Sequence, residues 1–137
     1  MKTKNTFAII LLFLSFIATA QEKSKFAPQL DKVLEMFQKQ DASIATPVLH
    51  ENYIISNIFP GMEEQILPQV LGQMPAFGSY EIESEKAEAN GTRIELAFVG
   101  KEEGFRYPCN FLIDKNGKIA ELNIIENAEI KTELNKQ

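Results

Sequence analysis

The chain of 137 residues carries 14 Lys and Arg against 19 Asp and Glu, with one His, one Cys and no Trp, for a formal charge of −5. That length predicts a single domain. An acidic balance without a basic stripe argues against nucleic-acid binding and against an electrostatic grip on anionic lipid. The lone cysteine, Cys109, excludes an internal disulfide and a four-cysteine zinc site.

Residues 1–20 read as a signal peptide. Lys2 and Lys4 form a basic n-region, Phe7 to Ile17 an apolar h-region, and Ala18-Thr19-Ala20 a small-residue cleavage site. The apolar run is shorter than the roughly 20 residues a membrane span needs, and no cysteine follows the cleavage site to take a lipid anchor. The expectation is an exported protein, periplasmic or extracellular, with no membrane attachment after cleavage. Cleavage removes two lysines and leaves 12 basic against 19 acidic residues, about −7, a charge most simply read as solubility.

Residues 21–25 form a polar N-terminus. Phe26, Leu30, Val33, Leu34 and Phe37 then recur at helical spacing with Lys32, Glu35 and Lys39 opposite, which predicts an amphipathic helix ending near Gln40, with Pro28 tolerated in its opening turn. Asp41 is placed to cap the next element. Ile44, Val48 and Leu49 suggest a short second helix that Pro47 must shorten or kink. Tyr53 to Phe59 reads either as a short strand or as an extended connection, and Pro60-Gly61 breaks it. Glu63 to Met74 predicts a third helix, acidic at its positive end, with Ile66, Leu67, Val70, Leu71 and Met74 buried. Pro68 is awkward inside it, and Pro75 and Gly78 end it.

From Tyr80 the period becomes two. Tyr80, Ile82 and Ser84 alternate with Glu81, Glu83 and Glu85, an edge guarded by charge. Ala89-Asn90-Gly91 turns the chain, which also explains the Asn90-Gly91-Thr92 sequon without a sugar. Ile94, Leu96 and Phe98 alternate with Arg93 and Glu95, and Lys101 to Gly104 turns again into the ribbon from Phe105 to Glu126. There Asn116-Gly117 favours a type I′ turn. That turn pairs Ile113 with Ala120, Phe111 with Leu122 and Cys109 with Ile124. A type I turn with a bulge at Gly117 would set Phe111 opposite Glu121 instead. The favoured register gathers Tyr107, Cys109, Phe111, Ile113, Ala120, Leu122 and Ile124 on one apolar face. Arg106, Asn110, Asp114, Glu121 and Asn123 fall on the other, with Leu112 and Ile125 as exposed apolar exceptions. Residues 127–137 read as a polar tail. The expected fold is α+β over residues 26–126: three N-terminal helices packed on a curved antiparallel meander of four strands.

Helix, short helix, helix and long-stranded meander resemble the nuclear-transport-factor-2-like superfamily, which includes SnoaL-like and ketosteroid-isomerase-like proteins. The residues that carry the likeness are the Phe26–Phe37 helix, the passage ILPQVLGQMPAFGSYEIES and the ending FLIDKNGKIAELNII. The sequence looks like a secreted bacterial branch of unknown function, and the likeness spans most of the mature chain. It implies a cone in which a curved sheet wraps helices around a pocket. Such a fold hosts isomerases, dehydratases, hydrolases and non-catalytic binders alike, so it does not fix a function.

Catalytic members of the superfamily commonly place an acidic base in the pocket. Here Glu81, Glu83, Glu85, Glu95 and Glu121 fall on the outward face and Asp114 at a turn, so no catalytic carboxylate is assigned. His50, the only histidine, lacks a partner nucleophile or orienting acid in the sequence and reads as a partly exposed structural residue rather than a base. Cys109, facing inward without a nearby positive charge, reads as an inert buried thiol. No residues show metal-ligand spacing, and no cofactor is implied. What remains is an aromatic lining of Tyr53, Phe77, Tyr80, Phe98, Tyr107 and Phe111, which either surrounds a ligand or fills the core. The expected function is non-catalytic binding of a small apolar ligand or a partner protein. The alternatives are a SnoaL-like isomerase, dehydratase or hydrolase, and a homodimer that buries the outer sheet face.

Overall fold

The periodic run after Phe26 folds as helix α1 (Ala27–Lys39) in a computed structural model whose described residues are 24–102 and 104–125. The signal peptide read over residues 1–20 and the tail over residues 127–137 lie outside them. Leu30, Val33, Met36 and Phe37 form the buried stripe of α1. Gln40 ends the helix in the left-handed region (φ 50°, ψ 44°), which lets the Asp41 N–H reach back to the Met36 carbonyl (3.1 Å). Asp41 then caps a 3₁₀ helix (Ala42–Val48) by accepting from the Ser43 N–H (3.0 Å).

Pro47 offers no N–H to extend that tight helix, and Leu49 opens strand β1 (Leu49–Ile54). The extended segment expected over Tyr53 to Phe59 therefore starts earlier and ends at Ile54. Helix α2 (Glu63–Gln73) follows, burying Ile66, Leu67, Val70 and Leu71 and carrying Pro68 inside it. The remaining strands are β2 (Phe77–Glu88), β3 (Gly91–Gly100), β4 (Arg106–Asp114) and β5 (Ile119–Asn123).

The sheet order is β1-β5-β4-β3-β2. The expected meander of four antiparallel strands is present as β2 to β5, but β1 adds to β5 in parallel, and the sheet is five-stranded, curved and mixed. Parallel pairing of segments some 70 residues apart leaves no turn signal for a sequence pattern to catch.

The final turn is not type I′. Of its two central residues only Gly117 has positive φ (80°), and the Gly117 N–H bonds the Asp114 carbonyl (3.0 Å) while the Asp114 N–H bonds the Lys118 carbonyl (2.8 Å). This is the competing turn with a bulge at Gly117. It pairs Ile113 with Ile119, yet Phe111 still faces Leu122, because a second irregularity next to Ala120 restores the parity. The apolar face thus keeps Phe111, Ile113, Leu122 and Ile124, with Ile119 rather than Ala120 in the core.

Another bulge, between Ile82 and Ser84, shifts β2. Ser84 turns outward beside Glu95, and Glu85, expected on the outer face, lies opposite Ile94, exposed and bonded to Ser24. Leu112 and Ile125, expected as exposed apolar exceptions, are 5% and 1% exposed.

Rings lock the helical layer to the sheet. Phe37 of α1 meets Phe77 edge-on at 5.1 Å and Phe98 at 5.0 Å, and Phe98 continues to Phe111 at 6.2 Å.

Candidate functional site

The six aromatic residues singled out above separate into three settings. Phe77, Phe98 and Phe111 are fully buried, and Tyr107 joins them with its hydroxyl donating to the Ile124 carbonyl (2.5 Å). Tyr80 is half-buried on the edge strand, where its hydroxyl donates to Asp31 of α1 (2.7 Å). Burial, and then the Asp31 carboxylate, raise its ionisation well above the ordinary phenol range. Tyr53 stands apart. It is half-buried on β1, and among the described residues its hydroxyl has no hydrogen-bond partner.

Tyr53 lines a cleft of about 350 Å³ between the 3₁₀ helix, β1 and α2. Ala42, Leu49 and Leu67 give this cleft its apolar surface, and Ser43, Thr46, His50, Glu51 and Glu64 its polar groups. The fold brings them together simply. The 3₁₀ helix runs straight into β1 through Leu49, and α2 sets Glu64 and Leu67 three residues apart, hence on one face. His50 accepts the Asn52 N–H at Nδ1 (3.0 Å), so the neutral ring carries its proton on Nε2. Burial, followed by the charges of Glu64 and Glu63, raises the Tyr53 phenol above its usual ionisation range. The cleft therefore holds a neutral phenol, an imidazole and two carboxylates over an aliphatic floor. Its volume is at the lower end of the roughly 300–1,000 Å³ of small-molecule sites.

The acids of the sheet do other work. Glu81 and Glu83 pair with Arg106, Glu88 and Glu121 with Arg93, and Glu95 with Ser84, all on the outer side or rim. Cys109 is buried with its Sγ 3.8 Å from the Tyr107 carbonyl. Among the described residues no group of three or more His, Cys, Asp or Glu side chains could hold a metal ion, and no helix is long and apolar enough to cross a membrane.

Sequence reasoning named His50 and Tyr53 but did not join them, and it missed Ser43, Thr46, Glu51 and Glu64. Glu64 reads naturally as a partner for the α2 dipole. The available signal was its spacing from Leu67, which places a carboxylate beside a buried aliphatic position.

No family model and no curated protein matches the chain. Among solved structures it is similar to a de novo designed NTF2 fold protein, with a TM-score of 0.52 and 14% identity over 78% of this chain and 88% of that one. It is also similar to an NTF-2 like protein of unknown function from Burkholderia xenovorans LB400 (TM-score 0.42, 13% identity, 80% of this chain and 91% of that one). An uncharacterized protein with a cystatin-like fold from Silicibacter pomeroyi DSS-3 is similar as well (TM-score 0.44, 17% identity, 80% and 81%). The chain has a nuclear-transport-factor-2-like fold.

Proposed function

We propose that the protein is an exported, non-catalytic domain that binds a small apolar ligand in the cleft walled by Tyr53. The observation that carries this reading is the Tyr53 hydroxyl. The phenols of Tyr80 and Tyr107 are spent on Asp31 and Ile124, whereas that of Tyr53 meets no protein group among the described residues and sits at the edge of a cavity floored by Leu49 and Leu67. A half-buried phenol over an aliphatic floor orients a ligand through one polar contact. Phe77, Phe98, Tyr107 and Phe111 fill the core rather than line this cleft. The same mouth would serve a partner protein that inserts an apolar side chain.

A thermal-shift screen of apolar alcohols, fatty acids and sterols against the chain from Gln21 tests the proposal. At least one compound is expected to raise Tm, and the rise is expected to vanish in Tyr53→Ala. A screen in which nothing moves Tm would overturn it.

The second reading is a SnoaL-like isomerase, dehydratase or hydrolase, and the shared cleft of His50, Tyr53 and Glu64 speaks for it. The Asn52 N–H on Nδ1 speaks against His50 as a base, because the other nitrogen already holds the proton. Turnover of an ester or hydroxyacyl panel that His50→Ala abolishes would favour this reading.

A further inference from the structure

We propose that His50 closes the free edge of β1 to a second copy of this chain, and that without it two molecules join edge to edge through β1. This role is separate from the ligand reading above.

Among the described residues the outer strands of the sheet are β1 and β2, each with one side unpaired. An unguarded edge of that kind is a template for another strand. Charge guards β2, which carries Glu81, Glu83, Glu85, Lys86 and Glu88 along its length. By contrast, β1 has Glu51 as its one acid and no lysine, and it ends in Ile54, which is 46% exposed. Its protection is of another kind. From Leu49 to Ile54 β1 advances five residues while β5 advances two, from Ile119 to Glu121, so the middle of β1 bulges. Within that bulge Nδ1 of His50 accepts the Asn52 N–H (3.0 Å). Asn52 is exposed. The donor that a neighbouring strand would need is thereby spent on its own chain.

A second copy is the occupant that β1 fits. Opposite residues in an antiparallel pair both point their backbone groups at the partner or both away from it. A two-fold axis between two β1 strands therefore passes beside a single residue. An axis at Glu51 would set two Glu51 carboxylates against each other, which is unfavourable. An axis at Tyr53 would set Glu51 opposite Ile55, which is 3% exposed and already part of the core. An axis at Asn52 sets Glu51 opposite Tyr53 and His50 opposite Ile54, so no like charges face and Ile54 is covered. In that register each Asn52 N–H meets the Asn52 carbonyl of the other copy, and it is this N–H that His50 holds.

Gel filtration with light scattering on the chain from Gln21 tests the proposal. The wild type is expected to keep the monomer mass across a concentration series. His50→Ala is expected to rise toward twice that mass as concentration increases. His50→Asn, whose side-chain oxygen takes the same N–H two residues on, is expected to stay monomeric. Adding Asn52→Pro to His50→Ala removes the N–H itself and is expected to restore the monomer. The proposal is overturned by a wild type that already dimerises, by a His50→Ala protein that is folded by circular dichroism yet monomeric throughout, or by a dimer that survives Asn52→Pro. If His50→Ala does not fold, the ¹⁵N shifts of the wild-type His50 ring decide. A neutral ring with its proton on Nε2 is expected, and a proton on Nδ1 overturns the proposal.

Discussion

On the outer face of the sheet the Arg93 guanidinium donates to Glu88 from Nε (3.0 Å) and to Glu121 and Asn110 from Nη1 (3.0 Å each). Asn123 extends the cluster, donating to Asn110 (2.8 Å) and accepting the Ser56 N–H (3.0 Å). The Arg93 side chain is only 20% exposed and that of Glu121 24%, so removing one partner strands a partly desolvated charge. Arg93→Ala is expected to cost about 1–3 kcal/mol, read from urea unfolding at pH 7.

The pH dependence follows the same pair. Hydrogen bonding to Arg93 is the largest cause that holds the Glu121 carboxyl below its ordinary value of 4.5. A lowered folded value stabilises the protein above the unfolded one and loses that contribution as pH falls through the folded one. The wild type is therefore expected to weaken below about pH 4.5, and Arg93→Ala to show less of that acid loss. Strand alternation was enough to place Arg93, Glu95 and Glu121 outward from sequence. The link to Glu88 was not legible, because it depends on how tightly the β2–β3 turn folds back.

At the scale of elements, glycines show how much a turn constrains the chain. Gly91 opens β3 where the backbone of β4 passes close by. A Cβ there would lie 2.1 Å from the Ile113 carbonyl oxygen and 2.9 Å from the Asp114 Cα. Gly72, in the last turn of α2, has nothing within 4 Å of the same atom. Gly91→Ala is expected to destabilise by about 1–3 kcal/mol or more through backbone displacement, and Gly72→Ala to stabilise by about 0.5–1 kcal/mol through helix propensity. Thermal unfolding of the two variants should give Tm changes of opposite sign.

Both helices and the four meander strands were legible as elements, because their periods of 3.6 and 2 are long and clean. The bulges at Ile82–Ser84 and beside Ala120 were not. Each inserts one residue without a residue type that marks it, and the first is what brings Glu85 round to the Ile94 side. The cleft was illegible for a related reason. Its walls come from three elements that meet only after β1 joins the sheet, so His50 and Glu64 have no sequence relation that predicts their meeting.

For the molecule as a whole, one core runs from α1 through Phe37, Phe77 and Phe98 to Phe111 on β4. Gln40 also donates to the Leu71 carbonyl (3.3 Å), and Gln29 to the Gly117 carbonyl (2.8 Å), so α1 is tied both to α2 and to the final turn. Such a domain is expected to unfold as a single unit. The chain lacks Trp, and its three tyrosines sit on β1, β2 and β4. Tyrosine fluorescence and far-UV circular dichroism should therefore trace coincident urea transitions, and separated midpoints would show the helices and sheet coming apart independently.

The order of the strands also governs when this fold can exist. Among the described residues, β1 has β5 as its sole neighbour in the sheet. A strand laid down before the meander thus stays without its sheet partner until β5, some 70 residues further along the chain, has been made.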